Sequence, residues 1–169
     1  LIFLALDGPR TPQQSMIQSR IIDQADEICT ANGIVLHVWQ REKNLGVAAS
    51  IMSAIDWFFS QVQSGIILED DLIFDTNFLN FSSQALDYFK DDSKVWLISG
   101  NNYFNDGVTK SENSWSTYPL IWGWATWKRG WKIFNENSQF LLDELKNNKL
   151  TNEFNYHGNQ LFTEMLEDK

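Results

Sequence analysis

The chain has 169 residues, a length typical of one domain, and its thirteen basic and twenty-two acidic residues give a net charge of -9. A field of this sign repels a phosphate backbone, so nucleic acid is excluded as an expected partner. An acidic site that binds a phosphorylated small molecule requires a metal cation between the two. No apolar run is long enough to span a bilayer. We therefore expect no membrane span in this chain and a cytoplasmic protein.

The chain opens with an apolar stretch, Leu1–Leu6, that predicts a buried strand ended by an Asp-Gly-Pro turn. A helix is predicted next, because Thr11 is suited to cap it and Pro12 occupies its first position. Apolar residues continue at helical spacing until Gly33 ends the helix. The single cysteine, Cys29, lies in this helix and is predicted to be a small core residue, since no second cysteine offers a disulfide.

A second strand is predicted over residues 34–39, followed by a helix whose apolar stripe lies within residues 46–63. The third predicted strand, residues 66–68, runs directly into three acidic residues. A third helix over residues 75–89, begun by an Asp or Thr cap, precedes a fourth strand at residues 95–98. This alternation predicts an α/β fold with a mostly parallel sheet and helices on both faces.

The pattern changes after the fourth strand. Residues 101–118 are polar and predict a long loop, and Trp122–Trp131 forms an aromatic cluster. A further helix is predicted at Gln139–Lys146, and the tail after Leu150 is weakly patterned. No linker divides the chain, so we predict a single domain over residues 1–169.

The acidic run Glu69-Asp70-Asp71 is the strongest chemical signal in the sequence. In open parallel sheets, ligands bind outside the carboxyl ends of the strands, where this run is predicted to lie. Carboxylate oxygens suit Mg²⁺ or Mn²⁺, which share their coordination between one or two carboxylates and substrate phosphates. The alternative is an acidic turn that faces solvent, with Asp75 capping the next helix.

Two weaker signals precede the acidic run. In Arg41–Gly46, Gly46 allows the backbone to approach a ligand, and the following helix amino terminus favours an anion. The alternative is an ordinary loop in which Asn44 caps the helix. Asp7, at the end of the first strand, is suited to accept hydrogen bonds from a base or ribose, or simply to form a turn.

The remaining candidates are aromatic side chains and histidines. The cluster Trp122–Trp131 is suited to bind the apolar face of a sugar, or to pack the loop against the sheet. Neither His37 nor His157 has a second His or Cys at metal-ligand spacing, so we do not expect either to bind metal.

Six segments, in this order and spacing, resemble bacterial nucleotide-diphospho-sugar transferases of the GT-A type, which are distantly similar to animal N-acetylglucosaminyltransferase I. The segments are Ala5–Arg10, Arg41–Gly46, Ala54–Phe59, Gly65–Asp71, Ile98–Asn102 and Trp122–Trp127. The resemblance extends to about Phe134. In this group the Glu-Asp-Asp run is the variant of the GT-A Asp-x-Asp motif.

The resemblance implies a metal-dependent glycosyltransferase that moves a sugar, with inversion, from a UDP-sugar to a hydroxyl of a glycan or other acceptor. Asp71 would bind Mn²⁺, or Mg²⁺, between the two phosphates, and Glu69 and Asp70 would lie near the ribose and donor sugar. The other nucleotide-sugar contacts would come from Asp7, Gly8, Arg41, Asn44, Gly46, Trp122, Gly123 and Trp124.

The chain departs from this group at both ends. The relatives have one more strand ahead of the position of Leu1, and an acidic acceptor base on a Trp-Asp-containing helix beyond the aromatic cluster. Neither segment is found in this sequence, so we expect truncation at both ends and leave the catalytic base unknown. Two other functions remain open: a non-catalytic nucleotide- or glycan-binding module of the same fold, and a metal-dependent phosphoryl-transfer enzyme.

Overall fold

A computed structural model of the chain describes residues 1–101, 114–134, 137–155, 158 and 160–167, which contain five strands and seven helices. The strands are β1 (Ile2–Leu6), β2 (Leu36–Gln40), β3 (Ser64–Ile67), β4 (Leu97–Ser99) and β5 (Trp124–Trp127). The helices are α1 (Pro12–Ala31), α2 (Val47–Gln61), α3 (Thr76–Tyr88), α4 (Lys128–Trp131), α5 (Ser138–Asn147), α6 (Thr151–Phe154) and α7 (Leu161–Glu167).

The predicted α/β class is confirmed, and most predicted elements lie within a few residues of their expected bounds. The tail after Leu150, which showed little pattern, contains α6 and α7. Most of the predicted loop, residues 102–113, lies outside the described residues, as does His157. None of the helices in the described ranges combines the length and apolar character needed to cross a membrane.

The predicted mostly parallel sheet is found only in part, because the described strands form two sheets and only β1 and β2 pair in parallel. In the first sheet, β1 and β2 pair in parallel, with Ile2 opposite Leu36. In the second, β5 lies between β3 and β4 and runs antiparallel to both. The difference arises from β5, an antiparallel strand that lies within the aromatic cluster and was not predicted from the sequence. It supplies the hydrogen-bonding partner for β3 and for β4.

Helix caps account for two of the three long helix starts. The Thr11 hydroxyl accepts a hydrogen bond from the Gln14 amide at 3.2 Å, which begins α1. The Asp75 carboxylate does the same for the Phe78 amide at 2.9 Å, which begins α3. This hydrogen bond from the Phe78 amide is the main reason that the pKa of Asp75 lies below its usual value.

The β3-β5-β4 sheet carries a helix on each face. On one face, Ile55 and Phe59 of α2 pack against Trp124. On the other, α3 packs with Ala125 and Trp127 in a second buried cluster. Successive residues of β5 therefore alternate between the two layers, as strand geometry requires.

Helix α2 also packs against the parallel sheet. The Phe3 ring of β1 makes edge contacts with Trp57 at 5.3 Å and with Phe58 at 5.1 Å between ring centroids. Trp39 of β2 contacts Trp57 at 5.5 Å. Phe58 also lies against Gly65 at the start of β3, so α2 contacts both sheets. Within the second sheet, β3 and β4 both run antiparallel to β5, so their carboxyl ends lie at the same edge of that sheet.

We predict that Phe59→Ala lowers the free energy of unfolding by about 3–5 kcal/mol, because the side chain is 2% exposed and its removal leaves a cavity between α2 and the sheet. Phe140→Ala is the matched control, since Phe140 is 48% exposed, and it should cost much less. Urea denaturation of both variants measures the difference. Equal losses would contradict the packing of α2 described above.

Candidate functional site

The carboxylate of Asp7 links the end of β1 to residues 41–46, which are called the 41–46 loop below. One oxygen, Oδ1, accepts hydrogen bonds from the amides of Gly8 and Leu45, both at 2.9 Å. The other, Oδ2, accepts from the amide of Gly46 at 3.1 Å. Three backbone donors thus converge on one side chain, and two of them lie in the 41–46 loop.

These contacts set the charge state of Asp7. Its partial burial raises the pKa, but hydrogen bonds from the amides of Leu45, Gly8 and Gly46 favour the ionised form and outweigh this effect. The positive charge of Arg41 acts in the same direction. The pKa of Asp7 is therefore below its usual value, and the carboxylate is ionised at neutral pH.

Gly8 and Asn44 make the second set of contacts between these two segments. The Asn44 side-chain amide donates to the Gly8 carbonyl at 2.9 Å, and its oxygen accepts from Arg10 Nε at 3.0 Å. A Cβ atom at Gly8 would lie 2.1 Å from the carbonyl carbon of Lys43, so only glycine fits there. Asn44 does not cap α2. Gly46 is the N-cap, with a φ of 78° and no side-chain hydrogen bond.

Arg41 is turned into the protein. It is 7% exposed, and its guanidinium donates to the Ser50 hydroxyl at 3.2 Å and to the Ser53 hydroxyl at 2.7 Å. The guanidinium also lies over the Trp39 ring, 4.1 Å from the centroid. In this position Arg41 braces the loop against α2, and its charge is directed away from solvent.

The acidic run follows β3 as an exposed turn. Leu72 donates its amide to the Glu69 carbonyl at 3.3 Å, which closes the turn, and Glu69, Asp70 and Asp71 are all exposed. Within the described ranges, no group of three or more His, Cys, Asp or Glu side chains is arranged to hold a metal ion. A Mg²⁺ or Mn²⁺ ion completes its coordination with waters and phosphates, so one or two exposed carboxylates fit its needs.

The turn lies against the start of β5. A side chain at Gly123 would meet Leu72 Cδ1 at 3.9 Å, and the Gly123 carbonyl accepts from the Gly100 amide at 2.9 Å. Asn101 donates its side-chain amide to the Trp122 carbonyl. A shallow recess of about 180 Å³ is found beside these residues. Its lining consists of Asn101, Pro119, Leu120, Ile121 and Trp122.

The tryptophans of the cluster divide into two groups. Trp122 is 62% exposed, whereas Trp124 is 9% and Trp127 5% exposed. Trp124 and Trp127 are therefore core residues. Of these three, only Trp122 exposes a wide aromatic surface, just ahead of the start of β5. The sequence alone does not separate them, because the burial of Trp124 and Trp127 depends on the pairing of β5 with β3 and β4.

The structure thus brings the predicted site residues together in two groups. One group lies at the ends of β1 and β2 and consists of Asp7, Gly8, Asn44 and Gly46. The acidic turn forms the other with Trp122 and Gly123, at the ends of β3 and β4. Asn101 was not predicted as a site residue, although it lies in Ile98–Asn102, one of the six segments that resemble nucleotide-diphospho-sugar transferases. Arg41 lies beneath the first group.

Comparisons of the chain with models of protein families, with curated proteins and with solved structures find no match.

We predict that Trp124→Ala lowers the free energy of unfolding by about 3–5 kcal/mol, because it removes a buried ring between α2 and the sheet. Trp122→Ala should lower it far less, since most of that side chain is already in contact with solvent. Urea denaturation followed by circular dichroism compares the two variants. A loss for Trp122→Ala as large as that for Trp124→Ala would mean that both rings belong to the core.

Proposed function

We propose that this chain is the donor-binding part of a metal-dependent glycosyltransferase of the GT-A type, which takes a nucleotide-diphospho-sugar as donor. One observation carries the proposal. The exposed acidic turn after β3 lies against Gly123, which directly follows the exposed ring of Trp122. Metal ligands, an aromatic surface and a glycine-containing loop are the parts that such a donor requires.

The charge of the acidic turn supports a cation as part of this site. Three carboxylates on consecutive residues repel one another, and a divalent ion relieves this repulsion while attracting a diphosphate. We assign Asp71 as the metal ligand, and Glu69 and Asp70 to the ribose and donor-sugar side. When bound, Mn²⁺ or Mg²⁺ would supply positive charge to the diphosphate, which becomes more negative as the glycosidic bond breaks.

The chain's own residues would bind and orient the donor. The 41–46 loop would lie along the nucleoside, and the exposed ring of Trp122 would cover an apolar face of the sugar. In the transfer step, an acceptor hydroxyl oxygen bonds to the anomeric carbon from the face opposite the diphosphate, which leaves with the electron pair. The hydroxyl proton passes to a general base, and we assign that role to no residue of this chain.

The GT-A architecture is part of the same proposal. It is supported by the α/β alternation, by the helices on both faces of the β3-β5-β4 sheet, and by the parallel pairing of β1 with β2. The order of the six segments that resemble nucleotide-diphospho-sugar transferases supports it independently.

The test is a thermal-shift and calorimetry panel of nucleoside diphosphates and nucleotide sugars, with and without Mn²⁺. The proposal expects binding that requires the metal, together with slow hydrolysis of the donor. Metal-dependent binding without any hydrolysis would favour a non-catalytic module. Release of phosphate from simple phosphate esters would favour a phosphoryl-transfer enzyme, and the absence of nucleotide binding would refute the glycosyltransferase.

We predict that Asp71→Asn abolishes the Mn²⁺-dependent stabilisation by a nucleoside diphosphate, because it removes the proposed ligand charge. The fold should persist, since Asp71 is exposed and its loss reduces repulsion within the turn. Asp23→Asn makes the same charge change at an exposed site on α1 and should bind as the wild type does. Calorimetry that gives Asp71→Asn the wild-type affinity for UDP would remove Asp71 from the site.

We predict that Trp122→Ala weakens binding of a nucleotide sugar by about 0.5–1.5 kcal/mol more than binding of the free nucleoside diphosphate, because only the former loses its aromatic contact. The control is Trp115→Ala, since Trp115 is 77% exposed and packs near Phe89 of the α3 cap. Calorimetry with both ligands measures the difference. Equal weakening of the two ligands would assign Trp122 to packing.

A further inference from the structure

The resemblance implies that Asp7 touches the nucleotide base, but its carboxylate is largely occupied within the protein. We propose that Asp7 is a positioning residue whose ionised carboxylate holds the 41–46 loop in the conformation that receives the nucleoside. This inference rests on the proposed function for its ligand. It differs from that function in giving Asp7 an indirect role, through the loop.

The geometry supports the indirect role. A carboxylate offers about four lone-pair positions, and Asp7 uses three of them on the amides of Gly8, Leu45 and Gly46. Leu45 and Gly46 lie 38 and 39 residues away in the sequence. The side chain therefore acts as a bridge between two distant segments and has little capacity left for a base or ribose.

The bridge also affects the start of α2, because Gly46 belongs to both the loop and the helix cap. Gly46 is the N-cap of α2 with a φ of 78°, and its carbonyl accepts the Ser50 amide at 3.0 Å. No side chain caps the helix, so the bond from the Gly46 amide to Asp7 Oδ2 holds the cap in place. Loss of that bond would free both the loop and the first turn of α2.

The charge on Asp7 is essential to this arrangement. In Asp7→Asn, an NH₂ group can replace Oδ2 and would face the Gly46 amide, so two donors would meet. The charged groups on the adjoining segments are Arg10 in the β1–α1 turn, and Arg41, Glu42 and Lys43 in the loop. Helix α1 contributes the neutral Gln18, whose side chain donates to the Asp7 carbonyl at 2.8 Å.

The sign of the pH dependence follows from the direction of the shift. The pKa of Asp7 is lower in the folded chain than its ordinary value of 3.8. Its contribution to stability is therefore complete above that ordinary value and is lost as the pH falls through the lowered pKa. At neutral pH the bridge is fully formed, and substitution is the appropriate way to break it.

The experiment compares the wild type with Asp7→Asn, using Asp23→Asn on α1 as the control with the same charge change. Two quantities are measured at neutral pH: hydrogen exchange of the Leu45 and Gly46 amides, and UDP affinity in Mn²⁺. We expect Asp7→Asn to speed exchange at these two amides and to weaken UDP binding, each by about tenfold, which corresponds to about 1.4 kcal/mol. Exchange in the β3-β5-β4 core should not change, which separates positioning from a general loss of stability.

Gly8→Ala provides a second variant that leaves the Asp7 charge intact. Its added Cβ would lie 2.1 Å from the Lys43 carbonyl carbon, so the loop must move away. We expect faster exchange at Leu45 and Gly46 and weaker UDP binding, as in Asp7→Asn. Agreement between the two variants would support the indirect role, because Gly8→Ala displaces the loop while the Asp7 carboxylate remains available to a ligand.

Three results would decide against parts of this scheme. Unchanged exchange at Leu45 and Gly46 in Asp7→Asn would overturn the bridge. Faster exchange with unchanged UDP affinity, in either variant, would overturn the positioning role while leaving the proposed function intact. A wild-type chain that binds no nucleoside diphosphate would overturn the proposed function and the positioning role together, while the exchange data would still show whether Asp7 holds the loop.

Discussion

The packing of α2 across both sheets is the constraint on which the rest of the structure depends. Among the described residues, the parallel β1-β2 pair and the β3-β5-β4 sheet are not joined by a strand. Phe58 of α2 contacts Phe3 of the first sheet, and its ring lies against Gly65 of the second, where a Cβ would come within 2.2 Å of Cζ. Phe59 is buried in the core of the second sheet. One helix therefore fixes the two halves relative to each other, and glycine at position 65 allows that contact.

The same helix lies between the two groups of candidate site residues in the chain. The 15 residues of α2 carry the chain about 22 Å from the 41–46 loop. The stretch from Ser64 to Glu69 is extended for most of its length and spans about 16 Å. Both groups of candidate site residues are therefore connected through α2 and β3, which lie between them in the chain.

The sequence predicted what depends on local chemistry. Apolar periodicity and the caps at Thr11 and Asp75 gave α1 to α3 within a few residues, and apolar runs gave β1 to β4. It did not predict β5, because strand pairing is decided by distant partners and the aromatic residues at 124 and 127 suggested a sugar-binding surface. The inward direction of Arg41 was missed for the same reason, since its partners Ser50 and Ser53 lie 9 and 12 residues away.

The acidic side chains of the two groups differ in whether hydrogen bonds from the protein stabilise their negative charge. This difference is the basis of the roles proposed for them. Asp7 is half-buried, and three backbone amides already stabilise its negative charge. The carboxylates of Glu69, Asp70 and Asp71 are exposed, and none accepts a hydrogen bond from the described part of the chain. A cation approaching this edge would compete with three backbone donors at Asp7, but only with water at the turn. The proposed function accordingly assigns the divalent ion and its diphosphate to the turn, in a chain of net charge -9, and the further inference gives Asp7 the role of shaping the 41–46 loop.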